Sequence, residues 1–193
     1  MKKYGFLLVM LCLSLQFSSA QLQRHDINLS IGGFSSNFFD AVSYDILTDQ
    51  RLAGPVSKKI GEQTGAIFVT YRFFPNNNLS IGITGGIERV KGIIQINAED
   101  SGVYYNDYFS GALEFDYRYI SRGRIQLYSG GGVGIMFNEE KNDIYTYQEN
   151  SEEFNFAYQV NLIGFRYGGI FGVFIEAGYG YKGILKLGFN IQL

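Results

Sequence analysis

Bulky apolar side chains alternate one by one with small or polar ones along most of this chain. From Phe171 to Tyr181, Phe171, Val173, Ile175, Ala177, Tyr179 and Tyr181 share one parity; Gly172, Phe174, Glu176, Gly178 and Gly180 share the other. Successive side chains of a β-strand point to opposite faces. The pattern predicts strands with one greasy face and one made mostly of glycine with an occasional charge. Eight such segments can be placed, at about 26–34, 65–74, 79–91, 105–120, 125–137, 154–167, 171–181 and 184–193. In the sixth the parity fails after Leu162, and a β-bulge near Ile163 or Gly164 would restore it.

The connections alternate as well. Those at 75–78, 121–124 and 168–170 are short and rich in turn formers, whereas 35–63, 92–104 and 138–153 are long and polar. The remaining one, around Lys182 and Gly183, is short but falls on the long-loop side. Short turns at one end and long loops at the other are the habit of outer-membrane barrels, with strands of about 10 residues.

Volume decides which face is inside. An eight-stranded barrel has an interior only just filled by side chains. Several bulky residues from each strand would not fit there, but Gly, Ser, Thr and Ala would. The greasy face therefore points outward, and the expected fold is all-β: an eight-stranded antiparallel up-and-down transmembrane β-barrel. In lipid a closed barrel is the β solution that leaves no backbone group unpaired. Aromatics gather at strand ends: Tyr71, Phe73 and Phe74; Tyr117 and Tyr119; Tyr104, Tyr105, Tyr108 and Phe109; Tyr179 and Tyr181. They fit the girdles that such barrels place at the two interfaces.

The N-terminus reads as a secretory signal, with Lys2 and Lys3, an apolar run from Phe6 to Leu15, and small residues before a cleavage between Ala20 and Gln21. The expected organisation is a signal peptide over 1–20 and one barrel domain over 21–193, exported to a bacterial outer membrane. The single cysteine, Cys12, leaves with the signal, so the mature barrel uses no disulfide or thiol chemistry. The formal net charge of −2 becomes two units more negative once Lys2 and Lys3 are removed. Without a clustered basic face, nucleic acid is excluded as a partner.

The signal, the Gly/aromatic alternation and the ending Gly178-Tyr179-Gly180-Tyr181-Lys182-Gly183-Ile184-Leu185-Lys186-Leu187-Gly188-Phe189 resemble the small outer-membrane β-barrel proteins of the OmpA/OmpX/opacity type and the porin-like barrels of Bacteroidetes. The resemblance implies contact with outer-membrane lipid and lipopolysaccharide, and insertion by the barrel-assembly machinery. That machinery usually reads a C-terminal aromatic; here the last residue is Leu193, with Phe189 four before it.

Charges on the small-residue parity are Arg72, Glu88, Glu114, Asp116, Arg118, Glu176 and Lys186. Buried charges must be partnered, so a paired network filling the lumen is the first expectation. A narrow porin-like path for ions or small solutes, lined by the same groups, is the second. Glu114 and Asp116 as a catalytic carboxylate pair is the third. A lipid-modifying enzyme would set a His beside Ser, Asp or Glu; the only histidine, His25, falls at the mature N-terminus, on the periplasmic end. No metal cluster, phosphate-binding motif or cofactor site is expected, and no enzyme activity. A structural, adhesive or envelope-interaction role remains, with loops 35–63, 92–104 and 138–153 able to carry a protein or surface ligand. The first loop is unusually apolar (Phe38, Phe39, Tyr44, Ile46, Leu47), and the third is acidic.

Overall fold

A computed structural model describes residues 24–43, 56–96, 99–144 and 147–193. The signal region, with Ala20 and Gln21, lies outside the described residues, as do Tyr44, Ile46 and Leu47 of the first loop. Nine strands and one helix follow in order: β1 (His25–Gly33), α1 (Ser36–Ser43), β2 (Val56–Gln63), β3 (Ala66–Phe73), β4 (Leu79–Ile96), β5 (Glu99–Arg122), β6 (Ile125–Ile144), β7 (Tyr147–Gly168), β8 (Phe171–Gly180) and β9 (Leu185–Gln192).

Eight of the strands close a barrel, each antiparallel to its neighbours. β3 to β9 pair in sequence order, and β1 joins the ends by pairing β9 on one side and β3 on the other. The ninth, β2, pairs only with the upper half of β4, from Val56↔Ile96 to Gln63↔Val90. It continues the line of β3 after a break at Thr64-Gly65, where Gly65 takes a φ of +76°.

The walls are unequal. β8, β9 and β1 have 10, 8 and 9 residues, near the length that crosses a bilayer, whereas β5 has 24 and β7 has 22. The long polar loops expected at 35–63, 92–104 and 138–153 are corrected accordingly. α1 and β2 lie inside the first; β4 reaches Ile96 and β5 starts at Glu99 inside the second; β6 reaches Ile144 and β7 starts at Tyr147 inside the third. The ladders persist through those extensions, where the sequence lacks the apolar alternation that marks the lower strands.

Exposure follows parity. Leu29, Ile83, Leu113, Phe115, Val133 and Phe189 face out, and the alternate positions of the same strands face in and are buried. The sixth segment carries its bulge at Leu162-Ile163: the register to β8 slips between Asn161 and Ile163, and Leu162 and Ile163 are both exposed.

Some aromatics depart from the girdle expectation. Tyr104 and Tyr108 lie on the inward parity of β5, and Phe74 turns inward at the end of β3; all three are buried. Tyr181 also belongs inside. The strand ends at Gly180, whose φ of +141° breaks the alternation before Tyr181. Tyr71, Phe73, Tyr117, Tyr119, Phe109 and Tyr179 are exposed on the outer face.

Candidate functional site

The barrel interior holds most of the polar chemistry of the described residues. Its buried charges are five acids (Asp26, Glu88, Glu114, Asp116, Glu176) and five bases (Arg72, Arg118, Arg166, Lys182, Lys186). An ion taken from water into such a space costs several kcal/mol unless it is paired. Among the described residues the two signs are equal in number.

At mid-height the pairs cross the lumen. Arg72 on β3 lies 2.7 Å from Asp116, 3.3 Å from Glu114 and 3.5 Å from Glu176. Lys186 on β9 stands directly opposite Glu176 on β8 and reaches it at 2.5 Å. Lys182 forms an ion pair with Glu114 and donates to Thr70 Oγ1. The hydroxyl of Tyr181 donates to Glu114 at 2.7 Å and that of Tyr128 to Glu176 at 2.8 Å. Three cations thus meet three carboxylates, and both tyrosines hold carboxylate oxygens.

The register explains how a turn residue reaches this level. Glu114 pairs with Gly132, Gly132 with Gln159, and Gln159 with Gly180, so the end of the short strand β8 is level with Glu114. Gln159 then accepts from the backbone N–H of Lys182 at 2.9 Å and fixes the inward tuck of the β8–β9 turn.

Glycines make the room. Gly82 faces Arg72 in the β3–β4 register, and Gly130 and Gly132 face Asp116 and Glu114 in the β5–β6 register. A Cβ at Gly82 would lie 2.8 Å from Arg72 Cγ; one at Gly130 would collide with Asp116 Oδ1; one at Gly132 would press on Glu114 Cγ at 3.0 Å. Each of these large inward residues occupies the space its cross-strand partner gives up.

Two further layers flank the charged centre. Toward the long-loop end, Phe68, Tyr108, Met136 and Tyr181 with small Ala66, Ala112 and Ala157 form an apolar cluster, and the Phe68 and Tyr181 rings meet edge to face at 5.5 Å. Above it Glu88 accepts from Ser35 Oγ at 2.6 Å and Asn37 Nδ2 at 2.8 Å, tying the start of α1 into the mouth. Toward the short-turn end, Asp26 accepts from Asn190 and Gln192 at 2.8–3.0 Å. Asn28, with its amide oriented to suit both neighbours, donates to Asp26 and accepts from Arg72.

Two solved barrels resemble this chain in outline. The attachment invasion locus protein Ail of Yersinia pestis is 15% identical with a TM-score of 0.46, and the match covers 87% of this chain and 95% of that one. The same protein solved with the heparin analogue sucrose octasulfate is 14% identical with a TM-score of 0.45, at the same coverage. No family model matches the chain. Nor does any curated protein.

All seven charges singled out on the small-residue parity are buried, and six share the centre and the short-turn layer; Glu88 stands apart at the other mouth. Glu114 and Asp116 are both buried and both lie against Arg72. His25 is at the short-turn rim, 2.7 Å from the Tyr71 hydroxyl and packed on Phe73, away from the buried carboxylates of the centre. Among the described residues no group of three His, Cys, Asp or Glu could hold a metal ion.

Parity reading missed Asp26, Arg166 and Lys182. Asp26 was legible, since it shares parity with Asn28 and Ser30 and closes the β1–β9 seam opposite Gln192. Arg166 lies beyond the bulge and takes inward parity only once Leu162-Ile163 is counted as the extra residue. Lys182 sits in a turn, where alternation carries no signal.

Proposed function

We propose that this chain is an integral barrel of a bacterial outer membrane, exported by the signal at 1–20, with a sealed lumen and a structural, adhesive or envelope-interaction role. The observation that carries this reading is the inverted distribution of side chains. Ten charged residues are enclosed by the strands, while Leu29, Ile83, Phe115, Ile135, Phe156 and Phe189 are half to three-quarters exposed. A contiguous apolar surface of this extent is a liability in water and a match for lipid. The surrounding lipid would include lipopolysaccharide, and insertion would use the barrel-assembly machinery.

Three stacked obstructions favour a plug over a conducting path. They are the Arg72–Lys182–Lys186 ion-pair centre, the apolar cluster around Phe68 and Tyr181, and the Glu88 tie to Ser35 and Asn37. Contact with other molecules then falls to the strand extensions and loops beyond the apolar band, including 35–63, 92–104 and 138–153.

The test is membrane fractionation followed by electrophoresis. Full-length protein should enter the outer-membrane fraction, resist alkaline extraction, and migrate faster unheated than boiled. Protein soluble without detergent, with one mobility in both states, would refute the reading.

A further inference from the structure

The wall formed by β8, β9 and β1 ends where its apolar face ends. Its strands have 10, 8 and 9 residues, and their outermost outward positions at the long-loop end are Tyr179, Leu185 and Gly33. On the taller wall an aromatic ladder marks the end of the apolar face. Phe109, Phe137 and Phe154 are cross-strand partners on β5, β6 and β7, with ring centroids 6.3 and 4.9 Å apart. The next residues up on that face are Asp107, Glu139 and Glu152. Of the three rim positions of the short wall, Tyr179 alone is aromatic.

The start of α1 brings further rings to that rim. Phe34, between β1 and α1, takes a φ of +56°, an outlier for a bulky residue that persists where the surroundings fix it. The backbone N–H of Ile184 donates to the Gly33 and Phe34 carbonyls at 3.0 and 3.2 Å and holds this turn to the start of β9. Ser35 Oγ caps the helix, accepting from the Phe38 N–H at 3.1 Å, and donates to Glu88. Asn37 donates to Glu88 as well, so both buried polar side chains point into the mouth.

The aromatic side chains go the other way. Phe34 meets Phe38 edge to face at 5.9 Å, and Phe38 meets Phe39 at 5.8 Å. Phe39 reaches Tyr179 on the outer face of β8 at 6.5 Å, and Tyr179 lies 6.2 Å from Tyr158 on β7. The row of rings thus leads from the top of β1, past β9 and β8, to β7. Phe34 remains 57% exposed and Phe39 37%, and residues 34–39 carry no charge. Amphipathic aromatic rows of this kind suit the layer where acyl chains meet headgroups.

We propose that the start of α1 is an interfacial lipid anchor. Phe34, Phe38 and Phe39 lie in the boundary between acyl chains and headgroups at the long-loop end, and complete the aromatic girdle over the short wall. The occupant is lipid because the row continues the outward apolar face of β8 and β9 through Tyr179 and Ile184 without a charged residue between them. The inference rests on the membrane reading above and adds to it a place for the first loop.

The chain contains no Trp, so a single introduced Trp reports its own surroundings. Full-length Phe34→Trp and Phe39→Trp are folded into phosphatidylcholine vesicles whose chains carry bromine either near the headgroup or near the tips. Phe115→Trp, on the outer apolar face, and Tyr105→Trp, beyond Asp107 on the same strand, are the references. A helix Trp should emit to the blue of Tyr105→Trp. It should lose more emission to bromine near the headgroup than to bromine at the tips, as for a ring sunk about 5–10 Å into the boundary. If Phe34→Trp gives no compact unheated band, Phe39→Trp, inside the helix, carries the test. Quenching of Phe115→Trp without quenching of the helix variants would overturn the anchor and leave the membrane reading standing. Absence of quenching at Phe115→Trp as well would overturn both.

Discussion

Arg72 on β3 and Asp116 on β5 meet at 2.7 Å across the strand that separates them, β4. They can do so because the β4 residue opposite Arg72 is Gly82, whose missing side chain leaves the guanidinium a passage. Substituting Gly82 by Val should therefore destabilise the barrel by about 1–3 kcal/mol, the usual cost of overpacking. Gly85, three residues on, faces outward, and a Cβ there would meet only Ser110 O at 4.0 Å. Gly85→Val should be tolerated. Thermal midpoints of the unheated gel band for the two variants check the contrast; equal losses would mean that glycine acts here through strand propensity, not lumen space.

Lys186 and Glu176 form a directly opposed pair on β9 and β8. Lys186→Met strands Glu176 beside one remaining cation and should cost about 3–5 kcal/mol, as for other broken buried pairs. Glu176→Gln keeps the hydrogen bond from Tyr128 in neutral form. In the double variant much of the loss should return, so the cycle gives a coupling well above that of a surface pair. Chemical unfolding in detergent or lipid measures it.

Tyr181→Phe removes one donor to Glu114 while keeping the ring packed on Phe68. A hydrogen bond to a charged partner contributes about 1.5–3 kcal/mol, and a loss in that range should appear in the same assay. A neutral result would place Tyr181 outside the lumen, where parity alone had set it.

Much of this interior was legible in the chain itself. Glu114, Asp116 and Arg118 stand at every second position opposite Leu113, Phe115 and Tyr117, and that alternation assigns their face directly. Alternation fails where the backbone stops repeating. Gly180 turns Tyr181 and Lys182 inward, and the Leu162-Ile163 bulge moves Arg166 to the lumen side. Parity also says nothing about who meets whom. The Lys182–Glu114 pair depends on the register that sets Gly180 level with Glu114 through β6 and β7.

Beyond the apolar band, Lys141 Nζ donates to Glu139 at 2.9 Å, and this hydrogen bond raises the Lys141 pKa above its ordinary value. A raised lysine contributes stability that is fully present below its ordinary pKa and lost as pH rises through the higher one. The pair is solvent-exposed and screened. The thermal midpoint should not change near neutrality in Glu139→Gln, while the Lys141 titration, followed by NMR of labelled lysine, should move down toward its ordinary position.

The central claim is that side-chain pairing seals this lumen, and planar-bilayer recording tests it most directly. Purified protein whose unheated gel band shows a folded barrel should insert without sustained conductance steps, because the ions of Arg72, Lys182 and Lys186 are held by Asp116, Glu114 and Glu176. Reproducible steps from the unmodified chain, altered in size by Glu114→Gln, would contradict the account and make the same residues the lining of a pore.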